Sequence, residues 1–470
     1  MSQEALSTPR PPARERTESE AIADFALGLD LATVPPEVVD LAKEHFLDVL
    51  GIALASSGFD FGRSVLQGAR ELGEGRAATA IGSGARLPAA SAALVNGVLA
   101  HGLDFDDTHI GAIYHASAQA MAASLAAGQA SGASGREVLC AFIAALEIGC
   151  RLALVGAGEF HDRAFHPTAL CGTFAAAAAA GRLSGASRQA LVWALGLCGS
   201  QAAGILEQDQ SWLKRLHPGW AAHSGVAAVA LARAGFIGPR TMLEGRRGFY
   251  AAHIQRIPEG TSLPSRALGT AWQTLGIALK PYPCCHFIHS FADAALELRG
   301  QFALHDVERI DCLLSAPLHK MVAEPRAKRI RPTTPYEALF SVPFVVALGL
   351  ARGRVDLAAF YDEPLDAPDL LALTERIFCL DDPASDYPKH FPGEIVVRLR
   401  DGRSIRCRKP ASLGTPDVPL PRSAVEAKFI ALATRTIDRA SADQLIDRVF
   451  RLETVASMEE VMALCTAGAS

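Results

Sequence analysis

The 470-residue sequence has no excess of positive charge, because 45 lysines and arginines stand against 50 aspartates and glutamates and the formal net charge is -5. We therefore expect no nucleic-acid partner and no cationic face for a membrane. The most apolar run, ALFSVPFVVALGLA at 338–351, contains a proline and is shorter than the ~18 residues that a membrane span needs. No membrane partner is expected either.

Cysteine pairs with metal or redox spacing are also absent. The ten cysteines are mostly isolated in apolar stretches, and no CxxC occurs. A chain of this length needs no disulfide staples, so we expect buried thiols and a cytoplasmic location. Residues 1–20 are polar and lack the apolar core of a secretory signal. Residues 1–20 are predicted to be a disordered leader.

The sequence has no convincing phosphate-binding or serine-nucleophile motif. Neither a GxGxxG following a strand, nor a Walker loop, nor a GxSxG elbow stands out. Dinucleotide, ATP and serine-hydrolase chemistry therefore have no support, and we expect no cofactor.

What the sequence has in abundance is alanine and leucine, both strong helix formers. Helix signals repeat over residues 21–268, whereas residues 269–408 contain strand-like runs at 307–316 and 394–409, the second around the turn pair Asp401-Gly402. Helical composition returns over 409–470. The prediction is a mainly α fold, in which a large discontinuous all-helical domain carries an inserted smaller α+β lid domain. A ligand cleft is expected between them.

The segment HGLDFDDTH at 101–109 concentrates ionisable side chains in an otherwise apolar chain. If the segment is helical, Asp104 and Thr108 share one face. A solvated helix end and a metal site are both open interpretations, although no HExxH-like pattern is present and we expect no metal. Residues 104–108, DFDDT, also match the DxDDT motif of class II terpene cyclases. Those enzymes need a cavity lined with aromatic side chains, and this chain has only four Trp and six Tyr.

Three further segments carry candidate groups. In FHPTALCGTF, His166 precedes Pro167 and an alanine-rich helix, whose positive end would favour a neutral histidine. In SWLKRLHPGW, Lys214, Arg215 and His217 either bind an anion or form a surface cluster. In KPYPCCHFIHS, Lys280 precedes a proline and should be extended into a cleft.

Together these groups suit proton abstraction next to a carboxylate in a cofactor-free enzyme. His115, His166 and Asp104 are acid–base candidates, and Lys214 and Lys280 are cations that could bind carboxylates. A binding protein that captures a polycarboxylate without turnover remains a separate hypothesis, although binding alone would need cations more than titrating groups.

The set of motifs resembles the MmgE/PrpD family, which includes 2-methylcitrate dehydratases and cis-aconitate decarboxylases. The matching segments are VNGVLAHGLDFDDTH followed by HAS, FHPTALCGTFAAAAAAGRLSG, KRLHPGWAAHSG, KPYPCCHFIHSFADAALEL and PYEALFSVPFVVALGLARG. The resemblance implies an all-helical large domain, a smaller lid, a homodimer and metal-independent lyase chemistry on a small di- or tricarboxylate. By motif, the residues it implies are Asp104, Thr108, His115 and His166 as catalytic and Lys214, Lys280 and His217 as substrate-binding.

The sequence departs from the decarboxylases of that family at Phe344, where they have a tyrosine, at Cys285, where a histidine is expected, and in the length of the loop from Thr108 to His115. The leading expectation is therefore a 2-methylcitrate dehydratase-like hydro-lyase. The alternatives are an isomerase, such as an epimerase of an iminodisuccinate-like dicarboxylate, and a cis-aconitate-type decarboxylase.

Overall fold

Helices dominate the chain, and the computed structural model describes them over residues 16–207 and 211–467. Across these residues 21 α-helices and only small sheets occur, which confirms the mainly α prediction. The helices of the first part are α1 (Glu18–Gly28), α2 (Pro36–Ser57), α3 (Asp60–Glu71), α4 (Ala89–His101), α5 (Ser117–Ser131), α6 (Gly135–Val155), α7 (Glu159–Asp162), α8 (Pro167–Leu183), α9 (Arg188–Gln201), α10 (Leu213–Arg233) and α11 (Phe249–His253).

Two short antiparallel pairs accompany these helices. They are β1 (Ala78–Thr79) with β2 (Arg86–Leu87), and β3 (Thr108–His109) with β4 (Ile277–Ala278). The second pair ties the segment after α4 to the segment that carries Lys280.

The following part mixes helices with a four-stranded sheet of order β6-β5-β7-β8. Its elements are α12 (His289–Leu298), β5 (Val307–Leu314), α13 (His319–Val322), α14 (Arg326–Ile330), α15 (Pro335–Ala338), α16 (Val342–Arg352), α17 (Leu357–Tyr361), α18 (Pro368–Thr374), β6 (Ile377–Asp381), β7 (Gly393–Leu399) and β8 (Ser404–Lys409). The hairpin predicted around Asp401-Gly402 joins β7 to β8. The sequence interpretation missed β6, a short run that follows α18 directly and pairs in parallel with β5.

The chain ends with α19 (Arg422–Ala433), α20 (Arg439–Phe450) and α21 (Met458–Leu464). Their buried side chains join the apolar cluster of the first part, with Val425 and Phe429 among them. A second cluster runs from Cys284 to Cys407. The large core is therefore discontinuous in sequence, and its first change of cluster comes after Leu279, later than residue 269. The domain boundaries given above stay a prediction.

Small residues let the central helices approach closely. A Cβ added at Gly97 of α4 would lie 2.7 Å from the Cα of Gly219 in α10, so the two backbones touch there. Only glycine permits this contact. The crossing sets the end of α4, where the acidic segment begins, beside the first turns of α10, which carry Lys214 and His217.

Two further expectations concern the N-terminus and α6. Residues 1–15 of the predicted leader lie outside the described residues, but α1 begins at Glu18, inside the predicted leader, because Thr17 and Glu20 form a capping box. Helix α6 is long and apolar enough to cross a membrane, yet 94% of its most apolar window is buried within the protein. Such burial is typical of a core helix.

Candidate active site

The acidic segment is a turn and not a helix, which corrects the helical placement of Asp104 and Thr108. Helix α4 ends at His101, Gly102 is its C-cap, and Asp104 has a φ of 53°, in the left-handed region. Thr108 lies in β3, opposite Ala278. The two side chains share no helix face, because a left-handed residue cannot continue a right-handed helix.

The turn directs Asp104 towards both predicted lysines. The Lys214 ammonium pairs with Oδ1 of Asp104, and Lys280 Nζ lies 3.7 Å from Oδ2 while it donates to the Asp104 carbonyl oxygen at 2.8 Å. Burial alone would raise the pKa of Asp104, but the charges of Lys214 and Lys280 outweigh it and hold the pKa below its ordinary value. We call these three residues the lysine cluster. Asp104 and Lys214 stay charged despite their burial.

A third lysine, which the sequence interpretation missed, supports this cluster from α19. Lys428 Nζ donates to the carbonyl oxygens of Phe105 and Lys280, each at 2.9 Å, and pairs with Asp48 at 2.7 Å. Burial lowers the pKa of Lys428 and raises that of Asp48 to about 6. Lys428 lies on the helix face that also carries Val425 and Leu432, both buried. The sequence could have indicated Lys428, because a lysine on an otherwise apolar helix face is unusual.

His115 is held by two acceptors on one ring nitrogen. Its Nδ1 lies 2.8 Å from the Asp107 carbonyl oxygen and 3.4 Å from Oδ2 of Asp106. A carbonyl oxygen only accepts, so Nδ1 carries the hydrogen and Nε2 keeps its lone pair. Burial, together with the positive charges of its neighbours, holds the pKa of His115 well below its ordinary value. His115 is therefore a neutral imidazole with a basic Nε2.

Asp106 joins His115 to a second histidine that the sequence interpretation did not select. Both Asp106 oxygens lie 2.8 Å from His101 Nδ1, and the rings of His101 and His115 are 4.6 Å apart between centroids. Asp106 is fully buried, so its charge acts on both imidazoles with little screening by water. His101 was visible only as the first letter of the acidic segment.

His166 is the N-cap of α8 with Pro167 as the first helical residue, as the sequence predicts. Its Nδ1 lies 2.9 Å from Nδ1 of His217, so one of the two nitrogens must donate. Nε2 of His217 is buried without a partner among the described residues. A buried N–H without an acceptor is costly, so the favoured arrangement has His217 donate from Nδ1 and leaves His166 with its hydrogen on Nε2.

The structure therefore brings most of the predicted residues together. The rings of His115 and His166 are 5.9 Å apart, and Thr168 Oγ1 accepts from the His115 backbone N–H at 3.1 Å. Nδ1 of His217 contacts Nδ1 of His166, and Thr108 Oγ1 is buried without a partner in the described chain. Arg215 and His217 are buried, which excludes the surface-cluster interpretation of that segment.

The two residues at which the sequence departs from the family's decarboxylases lie in different surroundings. Phe344 is fully buried in the small core against Phe360, with 6.2 Å between ring centroids. Cys285 lies near the lysine cluster, and burial raises the pKa of its thiol to about 11, so it is a neutral group. Phe344 is a packing residue, whereas Cys285 is part of the site's surroundings.

His101, Asp106 and His115 also have the spacing of a metal site, since one ligand atom of each lies within 4.8 Å of the others. In this arrangement Asp106 lies 2.8 Å from Nδ1 of His101 and 3.4 Å from Nδ1 of His115, and Nδ1 of His115 carries a hydrogen. A metal ion bound to that nitrogen would have to displace the hydrogen. The expectation of a metal-independent site stays a prediction.

Comparison with known proteins gives independent evidence on the family of this chain. The family model of the MmgE/PrpD N-terminal domain matches residues 20–258, and that of the MmgE/PrpD C-terminal domain matches residues 282–452.

Curated relatives match over nearly the whole chain. The cis-aconitate decarboxylase-like protein oryM of Aspergillus oryzae is 27% identical over 466 residues, which cover 94% of this chain and 96% of that protein. The cis-aconitate decarboxylase of Homo sapiens is 29% identical over 465 residues, covering 95% and 94%. That of Aspergillus terreus is 24% identical over 467 residues, covering 94% of each. The relatives named here are lyases or lyase-like proteins, and the two family matches show that this chain belongs to the MmgE/PrpD family.

Proposed function

We propose that this protein is a cofactor-independent lyase that acts on a small polycarboxylate by moving a proton at a carbon next to a carboxylate. The observation that carries the proposal is the pairing of His115, which has a free lone pair on Nε2, with His166 at a ring separation of 5.9 Å beside the lysine cluster. Proton transfer and carboxylate binding are thus available in one place.

His115 acts as the base in this proposal. Its depressed pKa keeps it neutral at pH 7, and Asp106 stabilises the imidazolium that forms when Nε2 takes a proton. His166 acts as the hydrogen donor through Nε2. The positive charge of Lys214 contributes to the low pKa of His166, and a bound carboxylate would offset that charge and favour proton uptake.

The lysine cluster holds the substrate. Two ammonium groups and one carboxylate leave a net charge of about +1, which suits one carboxylate of the substrate. Lys280 is fixed by the Asp104 carbonyl oxygen, and its own carbonyl is held by Lys428. Because these contacts already fix the Lys280 side chain, substrate binding does not have to order it.

Decarboxylation of a cis-aconitate-like acid is the first reaction to test, because the relatives named above are cis-aconitate decarboxylases or resemble them. Loss of CO2 from such an acid leaves an electron pair that shifts the double bond. The far carbon of the former double bond must then receive one proton, and we assign its delivery to His166, which first takes up one proton from solvent and returns to the neutral form when it protonates the carbon.

Dehydration of a 2-methylcitrate-like acid is the second candidate. The presence of a base and a hydrogen donor on separate elements favours it, because elimination of water needs both. His115 would take the proton next to the carboxylate, and His166 would protonate the leaving hydroxyl. Both reactions use His166 as the donor, and dehydration also uses His115 as the base.

Proton NMR in D2O separates these reactions. Purified protein is incubated with cis-aconitate, 2-methylcitrate, citrate and iminodisuccinate in turn. A new terminal vinylic signal from cis-aconitate with release of CO2 supports decarboxylation, and an unsaturated product from 2-methylcitrate supports dehydration. Deuterium uptake with stereochemical inversion alone would point to an epimerase. Thermal stabilisation by these acids without any exchange would contradict the lyase and favour a binding protein.

We also propose a homodimer that buries the outer face of α10. Trp212, Leu216 and Trp220 recur every four residues on one side of this helix and are exposed, as are Phe236 and Ile237 just after it. Exposed large apolar side chains that recur along one helix are typical of an interface. Sedimentation of Trp220→Glu should give a monomer, whereas Leu380→Glu, at an exposed apolar residue of the small sheet, should not change the wild-type state. A monomeric wild type would contradict the proposal.

A further inference from the structure

Arg215 follows Lys214 on α10 and is buried, with 6% of its surface exposed. Its Nε donates to the Gly102 carbonyl oxygen at 2.7 Å, just ahead of the turn that carries Asp104. The guanidinium lies between two aromatic rings, 4.7 Å from the centroid of Phe61 and 4.8 Å from that of Tyr336. Phe61 belongs to α3 of the first part and Tyr336 to α15 of the following part, so Arg215 lies where the two parts meet.

Arg215 differs from the other buried basic residues of the described chain. Lys43 pairs with Glu453, Arg151 with Glu147, and Lys280 with Asp104. Arg215 forms no ion pair with any carboxylate in residues 16–207 and 211–467. A buried charge without a counter-ion is costly, and stacking on aromatic rings only partly compensates. An anionic ligand would supply the counter-ion.

The wall beside Arg215 also offers a hydroxyl. The Tyr336 hydroxyl is buried without a hydrogen-bond partner among the described residues, and it interacts electrostatically with Asp104, Arg215 and Cys285. The Tyr336 ring packs on Phe340 at 5.2 Å, and the Lys214 ammonium lies 5.3 Å from the Phe340 centroid. A continuous aromatic wall therefore runs from Arg215 to the lysine cluster.

We propose that Arg215 and the Tyr336 hydroxyl form a second carboxylate subsite, which binds the end of the substrate remote from His115 and His166. The planar guanidinium matches the two oxygens of a carboxylate, and the hydroxyl adds one donor. The inference rests on the proposed function and narrows its substrate to an acid with a carboxylate beyond the one held by Lys214 and Lys280. Tyr336 comes from the α15 segment, so this carboxylate would also draw the two parts of the chain together.

Calorimetric titration with two unreactive acids tests the subsite on the full chain. Tricarballylate carries three carboxylates on a saturated chain, and butyrate carries one, which the lysine cluster alone would hold. Arg215→Met should weaken tricarballylate binding about tenfold or more, since it removes charge-assisted hydrogen bonds, and change butyrate binding by less than about twofold. Tyr336→Phe, which removes only the hydroxyl, should weaken tricarballylate binding by a smaller factor in the same selective way.

The matched control is Arg422→Met, which removes an arginine stacked on Phe450 at 3.5 Å, outside the candidate site. It should leave both affinities unchanged. Arg215→Lys keeps the charge and guards against a variant that fails to fold, and it should bind tricarballylate with intermediate affinity. Equal weakening of both acids, an unchanged tricarballylate affinity in Arg215→Met, or no tricarballylate binding by the wild type would each overturn the proposal.

The outcome separates the subsite from the reaction. Arg215-dependent binding of tricarballylate by a protein that leaves cis-aconitate and 2-methylcitrate unchanged would support the subsite and reject the proposed lyase. Turnover of either acid with the same KM in the wild type and in Arg215→Met would keep the lyase and reject the subsite.

Discussion

The two halves of the candidate site respond to burial in opposite ways. In the histidine half, His115 and His166 are held neutral, because burial and the positive charges nearby both lower their pKa values. In the lysine half, Asp104 and Lys214 stay charged although they are buried as well, because each supplies the opposite charge that the other needs.

The difference shows that the charge state of a buried group depends on its partner as well as on its depth. A nearby opposite charge favours the charged form of a buried titratable group, whereas burial and nearby like charges favour the neutral form. The protein thereby keeps a base and two cations side by side without the cations protonating the base. The four predictions below test this division.

The largest effect is expected from the histidine half. His166→Ala should lower kcat by about 10²–10⁴-fold, the usual contribution of a positioned proton-transfer group, and His115→Ala should do the same if the reaction is dehydration. Rates would be measured on whichever acid the NMR experiment identifies. His305→Ala, at an exposed histidine, is the matched control and should keep the wild-type rate. An unchanged rate for His166→Ala would remove it from the mechanism.

In the lysine half, stability should depend on whether each buried charge keeps its counter-ion. Lys280→Met leaves Asp104 with one cation, and the free energy of unfolding should fall by about 3–5 kcal/mol, as for other broken buried pairs. Adding Asp104→Asn to that variant should restore part of the loss, because no uncompensated charge remains. Urea unfolding measures both. Strictly additive losses would argue that the two groups do not interact.

Asp106 is the carboxylate of the histidine half, where it lies 2.8 Å from Nδ1 of His101 and 3.4 Å from Nδ1 of His115. Asp106→Asn removes the anion that stabilises the protonated form of His115, and kcat should fall about tenfold or more. The acidic limb of the pH–rate profile should move to lower pH because His115 becomes a weaker base. A fall in kcat without that displacement would assign Asp106 a purely structural role.

The smallest effect concerns His109, a buried histidine that lies outside both halves. Burial lowers its pKa to about 4, its Nδ1 accepts from the Ala112 N–H, and its Nε2 contacts Gln273. Its folded pKa is below the unfolded value of 6.5, so the unfolded chain binds more protons between about pH 6.5 and 4.

This difference should destabilise the folded protein as the pH falls through that range. The melting temperature, measured between pH 7.5 and 5, should therefore decline less steeply for His109→Gln than for the wild type. The same slope in both proteins would mean that His109 does not contribute to acid lability.

Much of the fold follows from local sequence. The alanine- and leucine-rich segments form the helices, the Asp401-Gly402 pair turns the β7–β8 hairpin, and Pro167 starts α8 after His166. These features depend on propensities that act over a few residues, so they could be predicted. The family motifs likewise supplied the histidines and lysines of the candidate site.

The conformation of the acidic segment could not be predicted from local sequence. Its composition allowed a helix, and a helix would have paired Asp104 with Thr108. The left-handed turn at Asp104 is imposed by long-range contacts, with Lys214 on its carboxylate and Lys280 on its carbonyl oxygen, from 110 and 176 residues away in the chain. Propensity contains no information about such partners.

The sequence by itself determined which chemical groups the protein has, that most of the chain is helical and to which family it belongs. Only the tertiary structure decided which groups meet: Asp106 between His101 and His115, His217 against His166, Lys428 beneath Lys280, and Arg215 without a carboxylate partner in the described chain. The physical reason is that charge state, hydrogen position and the cost of burial depend on what lies within a few ångströms, and in a folded chain those neighbours come from distant residues.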